Sequence, residues 1–339
     1  MKRVLVMLFY VFIGWHSNAQ NRANVWELSY SDTIAYPNSQ LNFSSGTVDT
    51  SRVYRSMAFF DTDGSICDSA GHLLFYTNGI YIGNKNFDTL LNSVNFDTGE
   101  ATTFYQPDGL GFCQAVLIMP YPNQRTKYYI FYVTGEFFSA HNQNLTLPLH
   151  LSYSVIDMNL DNGLGGIDSN YKNKYIIQDT LTQGGIAGIK HANGRDWWVI
   201  MHRYWSDEYY KLLVTPDGIY GPYTQNIGSI ITTPIFGQST FSPDGSKFAM
   251  LSTNYVLDYM NFDRCTGDFY NYQMLSIPND SDVTLGCSFS PNGRFLYASS
   301  SMRLHAVLRL AMISFFFWIR MESSNCWSIF SDCSTFLLS

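Results

Sequence analysis

The sequence predicts an all-β chain, a β-propeller of about six to seven blades of four-stranded antiparallel sheet, incomplete at its C-terminal end. Three observations carry this. Short β-rich runs recur with turn signals about every 8 to 12 residues, the spacing of sandwiches, barrels and propellers. No helical period of useful length follows the first 19 residues. A hairpin then repeats: Phe-Ser-Pro-Asp-Gly-Ser-Lys-Phe-Ala-Met at 241–250 against Phe-Ser-Pro-Asn-Gly-Arg-Phe-Leu-Tyr-Ala at 289–298, 48 residues later. In each copy a strand ends at Phe-Ser, Pro fixes φ, Asp or Asn tolerates unusual dihedrals and Gly takes φ > 0. A period of about 40 to 50 residues made of hairpins is the signature of propeller blades.

Taken in order, residues 1–19 carry Lys2 and Arg3, an apolar run from Val4 to Gly14 and small residues before Gln20, the pattern of a cleaved secretory signal. The run is too short for a membrane span, which needs about 20 apolar residues. Residues 20–301 form the expected propeller, long enough for about six blades at the repeat spacing. Runs such as 127–134, 151–156, 196–202 and 294–299 are apolar on both faces more often than alternating, so they predict strands covered on both sides. Weaker hairpins are expected at 68–71, 193–194 and 216–218. An outer-membrane barrel is disfavoured, because it would need strands of about ten residues alternating apolar and polar. Residues 302–339 differ in kind: they hold no Gly, Pro, Tyr, Lys or Gln, although the chain has 25 Gly, 11 Pro and 24 Tyr. This reads as an aberrant tail, the product of a reading-frame change after Ser301, with a genuine amphipathic tail as the alternative.

The chain has 20 Lys plus Arg against 27 Asp plus Glu, a formal charge of -7, and 17% aromatic residues. That acidic balance, without basic clusters, argues against a nucleic-acid partner, whose affinity rests on neutralising phosphates. Export would place the chain in an oxidising compartment, periplasmic, cell-surface or extracellular.

Several motifs together carry a resemblance. Phe-Ser-Pro-Asp-Gly at 241–245 resembles the hairpin of TolB-type and WD-repeat-like propellers. A larger set comprises 71–79 (Gly-His-Leu-Leu-Phe-Tyr-Thr-Asn-Gly), 128–131, 153–158 with 163–165, 190–198 (Lys-His-Ala-Asn-Gly-Arg-Asp-Trp-Trp), 262–267 and 289–297. Together these resemble the propeller-like N-terminal region of Bacteroidota secreted and surface proteins, many of which end in a gliding-motility-type sorting domain for type IX secretion. The resemblance covers about residues 24–300 and stops where the composition breaks. It implies a surface-exposed propeller and supplies no catalytic residues.

No Gly-x-Ser-x-Gly elbow, His-Glu-x-x-His helix, phosphate-binding Gly-Lys-Ser/Thr loop or Cys-x-x-Cys pair occurs. His191 and His202 flank the Asn-Gly hairpin and could meet across two strands as a metal or acid/base pair, or serve as hydrogen-bonded structural histidines. Asp61, Asp63 and Asp68 lie close in sequence, as do Asp157, Asp161 and Asp168, but turn roles are the simpler reading of both sets. No metal and no cofactor are expected. The densest aromatic cluster is Trp197, Trp198, Tyr204, Trp205, Tyr209 and Tyr210. Strand alternation sends the two tryptophans to opposite faces, so at least one should be core, and Tyr204 and Trp205 are the better candidates for exposure. The binding candidates are therefore Trp205, Tyr204, Trp198, His202 and His191. Of the cysteines before the tail, Cys265 and Cys287 are the first choice for a disulfide, with buried thiols the alternative.

These readings converge on an exported, non-catalytic propeller that binds or scaffolds a protein or glycan ligand at the bacterial surface. The alternatives are an extracellular propeller hydrolase or lyase and a non-functional truncated product. A monomer is expected unless an open blade edge associates.

Overall fold

Tight Asx turns join the first two strands of successive sheets, and they set the architecture. In a computed structural model, residues 21–28, 37–140, 143–232, 237–252, 256–277, 284–300, 304–308 and 317–319 are described. The signal-like segment lies outside them. Sheet one is β1 (Val25–Leu28), β2 (Asn38–Asn42) and β3 (Asp49–Val53); sheet two is β4 (Gly64–Cys67), β5 (Leu73–Thr77) and β6 (Ile82–Asn84). A short helix α1 (Glu100–Phe104) leads to sheet three. That sheet has β7 (Val116–Pro120) and β8 (Lys127–Val133), then an inserted hairpin of β9 (Glu136–Ala140) and β10 (Gln143–Leu147), then β11 (His150–Asp157). Both β12 (Gly166–Ile167) and β13 (Lys174–Gln178) pair with β11.

Three four-stranded sheets follow. Sheet four is β14 (Ala187–Lys190), β15 (Trp197–His202), β16 (Glu208–Thr215) and β17 (Gly218–Asn226). Sheet five is β18 (Gln238–Phe241), β19 (Lys247–Leu251), β20 (Val256–Asp263) and β21 (Asp268–Ser276). Sheet six is β22 (Thr284–Phe289), β23 (Phe295–Ser300), β24 (Leu304–Leu308) and β25 (Phe317–Ile319). Every strand pairing is antiparallel, and each of these sheets follows chain order. The chain is an all-β propeller, and its described residues form six blades.

The repeated hairpin has one geometry in both copies. Gly245 (φ 70) and Gly293 (φ 64) donate to the carbonyls of Ser242 and Ser290 at 2.7 and 2.8 Å. Asp244 and Asn292 accept from the serine hydroxyls at 2.6 and 2.8 Å. Asn193-Gly194 occupies the same place in sheet four, and the Asp68–Gly71 turn does so in sheet two.

The first strands of sheets two to six run side by side in one direction. Thr62 donates to the Leu110 carbonyl while Gly64 lies against Val116 and Ile118; Ile186 donates to Gln114 while Gly188 lies against Leu117. Gly185 beside Ser239 and Gly245 beside Ile189 align β14 with β18, and Cys287 bonded to Gln238 aligns β18 with β22. β1 breaks this pattern. The Arg22 carbonyl accepts from Cys67 and the Val25 carbonyl from the Ser65 hydroxyl, so β1 runs opposite to β4.

Inner strands such as β4, β15 and β18 are buried on both faces between neighbouring sheets, which is why they lack simple alternation. All six residues of β15 are buried. Trp197 packs with Phe131 and Leu117 toward sheet three, and Trp198 with Phe248 and Phe262 toward sheet five. In sheet six, β24 pairs in register with β23, and β25 pairs in register with β24. The two outer strands of that blade thus come from the compositionally distinct stretch 302–339, whose other residues lie outside the described set. No described helix is long and apolar enough to cross a membrane.

Candidate functional site

The sequence-predicted candidates separate. Trp198 is 4% exposed and wedges between blades, its Nε1 donating to the Arg264 carbonyl at 2.9 Å. Burial on both faces of the sheet removes it from any ligand. Tyr204 is buried and donates to the Thr232 carbonyl at 3.2 Å. His202 is buried beside the Tyr209 ring, with Nδ1 2.7 Å from the Arg203 carbonyl, and burial pushes its pKa down to about 4. His191 sits before the turn at the other end of β15, its Nε2 3.0 Å from the Cys265 carbonyl. The two histidines do not meet: His191 lies opposite Asp196, so the length of β15 separates it from His202 by about 20 Å at roughly 3.3 Å per residue. Trp205 is the one candidate that stays open, 40% exposed at φ 57 in the turn between β15 and β16.

The other expectations resolve similarly. Cys265 is exposed near the β20–β21 turn, whereas Cys287 is buried in β22 with its thiol donating to the Gln238 carbonyl, so no disulfide joins them. Asp61 and Asp63 precede β4 and Asp68 follows it, which puts the strand between them. Asp157 and Asp168 share Lys127 at 3.5 and 3.7 Å. Among the described residues, no group of three His, Cys, Asp or Glu side chains comes together to hold a metal ion.

What the sequence reading missed lies on the face built from the second-to-third-strand and inter-blade connections, the face that also carries Trp205. Two connections there are long: 85–115, which contains α1, and 134–149, which contains the β9–β10 hairpin. They dock through glycine. A side chain at Gly99 would collide with the Gly135 carbonyl, and that carbonyl accepts from Ala101 N at 2.6 Å. The Glu136 carboxylate accepts from Glu100 N at 3.0 Å, so both partners satisfy free N–H groups at the start of α1. Beneath the helix, Asp97 is buried at φ 51. Its Oδ2 accepts from the Thr102 hydroxyl at 3.2 Å and its Oδ1 accepts nothing among the described residues. Burial holds this carboxyl well above the usual carboxylate range.

This docking projects a run of aromatic rings. Phe60 stacks on Tyr105 at 6.0 Å between centroids, Tyr105 meets Phe104 edge-on at 5.5 Å, and Phe104 meets Phe137 at 5.8 Å. Phe60, Phe104 and Phe137 are 45%, 69% and 53% exposed, while Tyr105 anchors the run by touching buried Phe112 at 6.4 Å. Asp61 is half-buried beside Tyr105; burial raises the Asp61 pKa, and burial together with the Asp61 charge raises that of Tyr105. The two long connections were the available signal, since neither fits the compact blade repeat.

No protein-family model matches the chain, and no curated protein matches it. Among solved structures it is similar to a putative 6-phosphogluconolactonase from Bacteroides uniformis at 13% identity and TM-score 0.42, covering 87% of this chain and 80% of that one. It is also similar to the periplasmic gluconolactonase PpgL of Pseudomonas aeruginosa, at 11% identity, TM-score 0.44, and 84% and 76% coverage. The β-propeller domain of Cps50 (Swd1) from Myceliophteria thermophila aligns at 9% identity, TM-score 0.41, and 88% and 83% coverage. The chain's own strand order defines the blades.

Proposed function

We propose that this chain is a non-catalytic binding module, exported and displayed at the bacterial cell surface, that engages its ligand through the exposed aromatic run on the connection face. The observation that carries the reading is Phe60–Tyr105–Phe104–Phe137: four rings, each touching the next, with Phe60, Phe104 and Phe137 exposed to solvent. Exposed aromatic surface of this kind is costly in water and marks interaction sites. Export is supported by the signal-like residues 1–19, and surface display by the resemblance to secreted Bacteroidota propellers.

The test is calorimetric titration of the full chain and its Phe104→Ala/Phe137→Ala variant with neutral oligosaccharides and with basic and acidic model peptides. Saturable binding to one probe, lost in the variant with the melting temperature retained, is the expected result. Binding that survives the double substitution, or no binding to any probe, overturns the reading.

A further inference from the structure

The segments that build the aromatic run are 57–63, 97–112 and 134–140. They contain Asp61, Asp63, Asp97, Glu100, Asp108 and Glu136, and no Lys, Arg or His. Asp97 is buried under α1 and adds no surface charge in its neutral form, and Asp63 is buried. Glu100 is exposed, and Asp61, Asp108 and Glu136 are half-buried around the rings. An exposed aromatic surface fringed by carboxylates attracts cations twice, through the ring quadrupoles and through the anionic rim. It repels polyanions by the same charges.

The spacing selects the form of the cation. Successive centroids lie 6.0, 5.5 and 5.8 Å apart, so the run extends over at most about 17 Å. In an extended peptide, side chains on one face recur about every 6.6 Å. Alternate side chains of such a segment would therefore fall close to successive rings.

We infer that the ligand of this face is an extended peptide segment bearing lysine or arginine at alternate positions, laid along Phe60, Tyr105, Phe104 and Phe137 with its cations between the rings and the carboxylate rim. The inference rests on the binding reading above and narrows it to one ligand class.

The experiment titrates the full chain with a short peptide alternating lysine and serine, with its glutamate counterpart and with a neutral chito-oligosaccharide. Each titration is repeated on Glu100→Gln/Asp108→Asn, which leaves every ring in place and alters only exposed or half-buried groups. The lysine peptide is expected to bind alone among the three, to weaken as salt rises, and to lose about tenfold in affinity in the charge variant, the scale of one or two exposed cationic contacts. Binding of the glutamate peptide or the sugar that Phe104→Ala/Phe137→Ala abolishes overturns the inference and leaves the binding reading standing. Lysine-peptide binding indifferent to the charge variant also overturns it. Failure of all three probes overturns both.

Discussion

The side-chain amide of Gln114 pairs with both backbone polar groups of Ser239, Nε2 donating to the carbonyl at 2.8 Å and Oε1 accepting from the amide at 2.8 Å. Gln114 precedes β7 and Ser239 lies in β18, so the contact reaches past sheet four to join blades that are not consecutive. Passage of the chain beneath it requires Gly184 and Gly185, both at φ +84; a Cβ at Gly184 would overlap the Cys113 carbonyl. Gln114→Leu keeps approximate volume but leaves two buried Ser239 groups without these partners, so it should destabilise by about 1 to 3 kcal/mol per orphaned group. Gly184→Ala should not yield a folded chain. Denaturant melts of both variants check this pair of expectations.

Trp198 and Trp205 should part company on mutation. Trp198 fills the interface between blades four and five, where Gly267 at φ +78 leaves room for its ring. Trp198→Ala should therefore cost about 3 to 5 kcal/mol, as large-to-small core changes do. Trp205→Ala, on the surface turn, should stay within about 0.5 kcal/mol of the parent chain. Thermal unfolding followed by circular dichroism reads both.

His202 gives the fold an acid limit. Its folded pKa of about 4 lies below the unfolded value of roughly 6.5, so between those values the unfolded chain binds a proton that the folded chain does not. The stability it contributes is complete above about pH 6.5 and is lost as pH falls toward 4, by roughly 3 kcal/mol. His202→Gln removes the titrating group and should flatten this part of the stability profile. The profile is measured by chemical unfolding at stepped pH.

Asp97 acts in the opposite direction. Its carboxyl is held protonated by burial, so above the ordinary carboxylate pKa the unfolded chain ionises while the folded one resists. Its contribution is most favourable below that pKa and weakens as pH rises toward the folded value. Asp97→Asn keeps the shape, tolerates φ 51 and removes the penalty, so it should raise the melting temperature at pH 7 and leave it nearly unchanged at pH 3.

The blades were legible because their turns obey local chemistry: Ser-Pro-Asp-Gly and Ser-Pro-Asn-Gly state their hydrogen bonds in the sequence, and both sit at the same place in consecutive sheets. The site was less legible. Trp198 and His202 looked available because alternation assumes one wet face, whereas β15 has none. Phe104 and Phe137 become neighbours only because Gly99 and Gly135 bring two distant connections into contact, a relation no short-range pattern carries. The reversed direction of β1 likewise depends on which strand it packs against.

Hydrogen exchange on the full chain with and without the lysine–serine peptide tests the central claim most directly. The account predicts slowed exchange in 57–63, 97–112 and 134–140, with no change in the turns at 68–72, 191–196, 242–246 and 290–294 on the opposite face. Protection confined to those turns, with the aromatic connections unaffected, would contradict it.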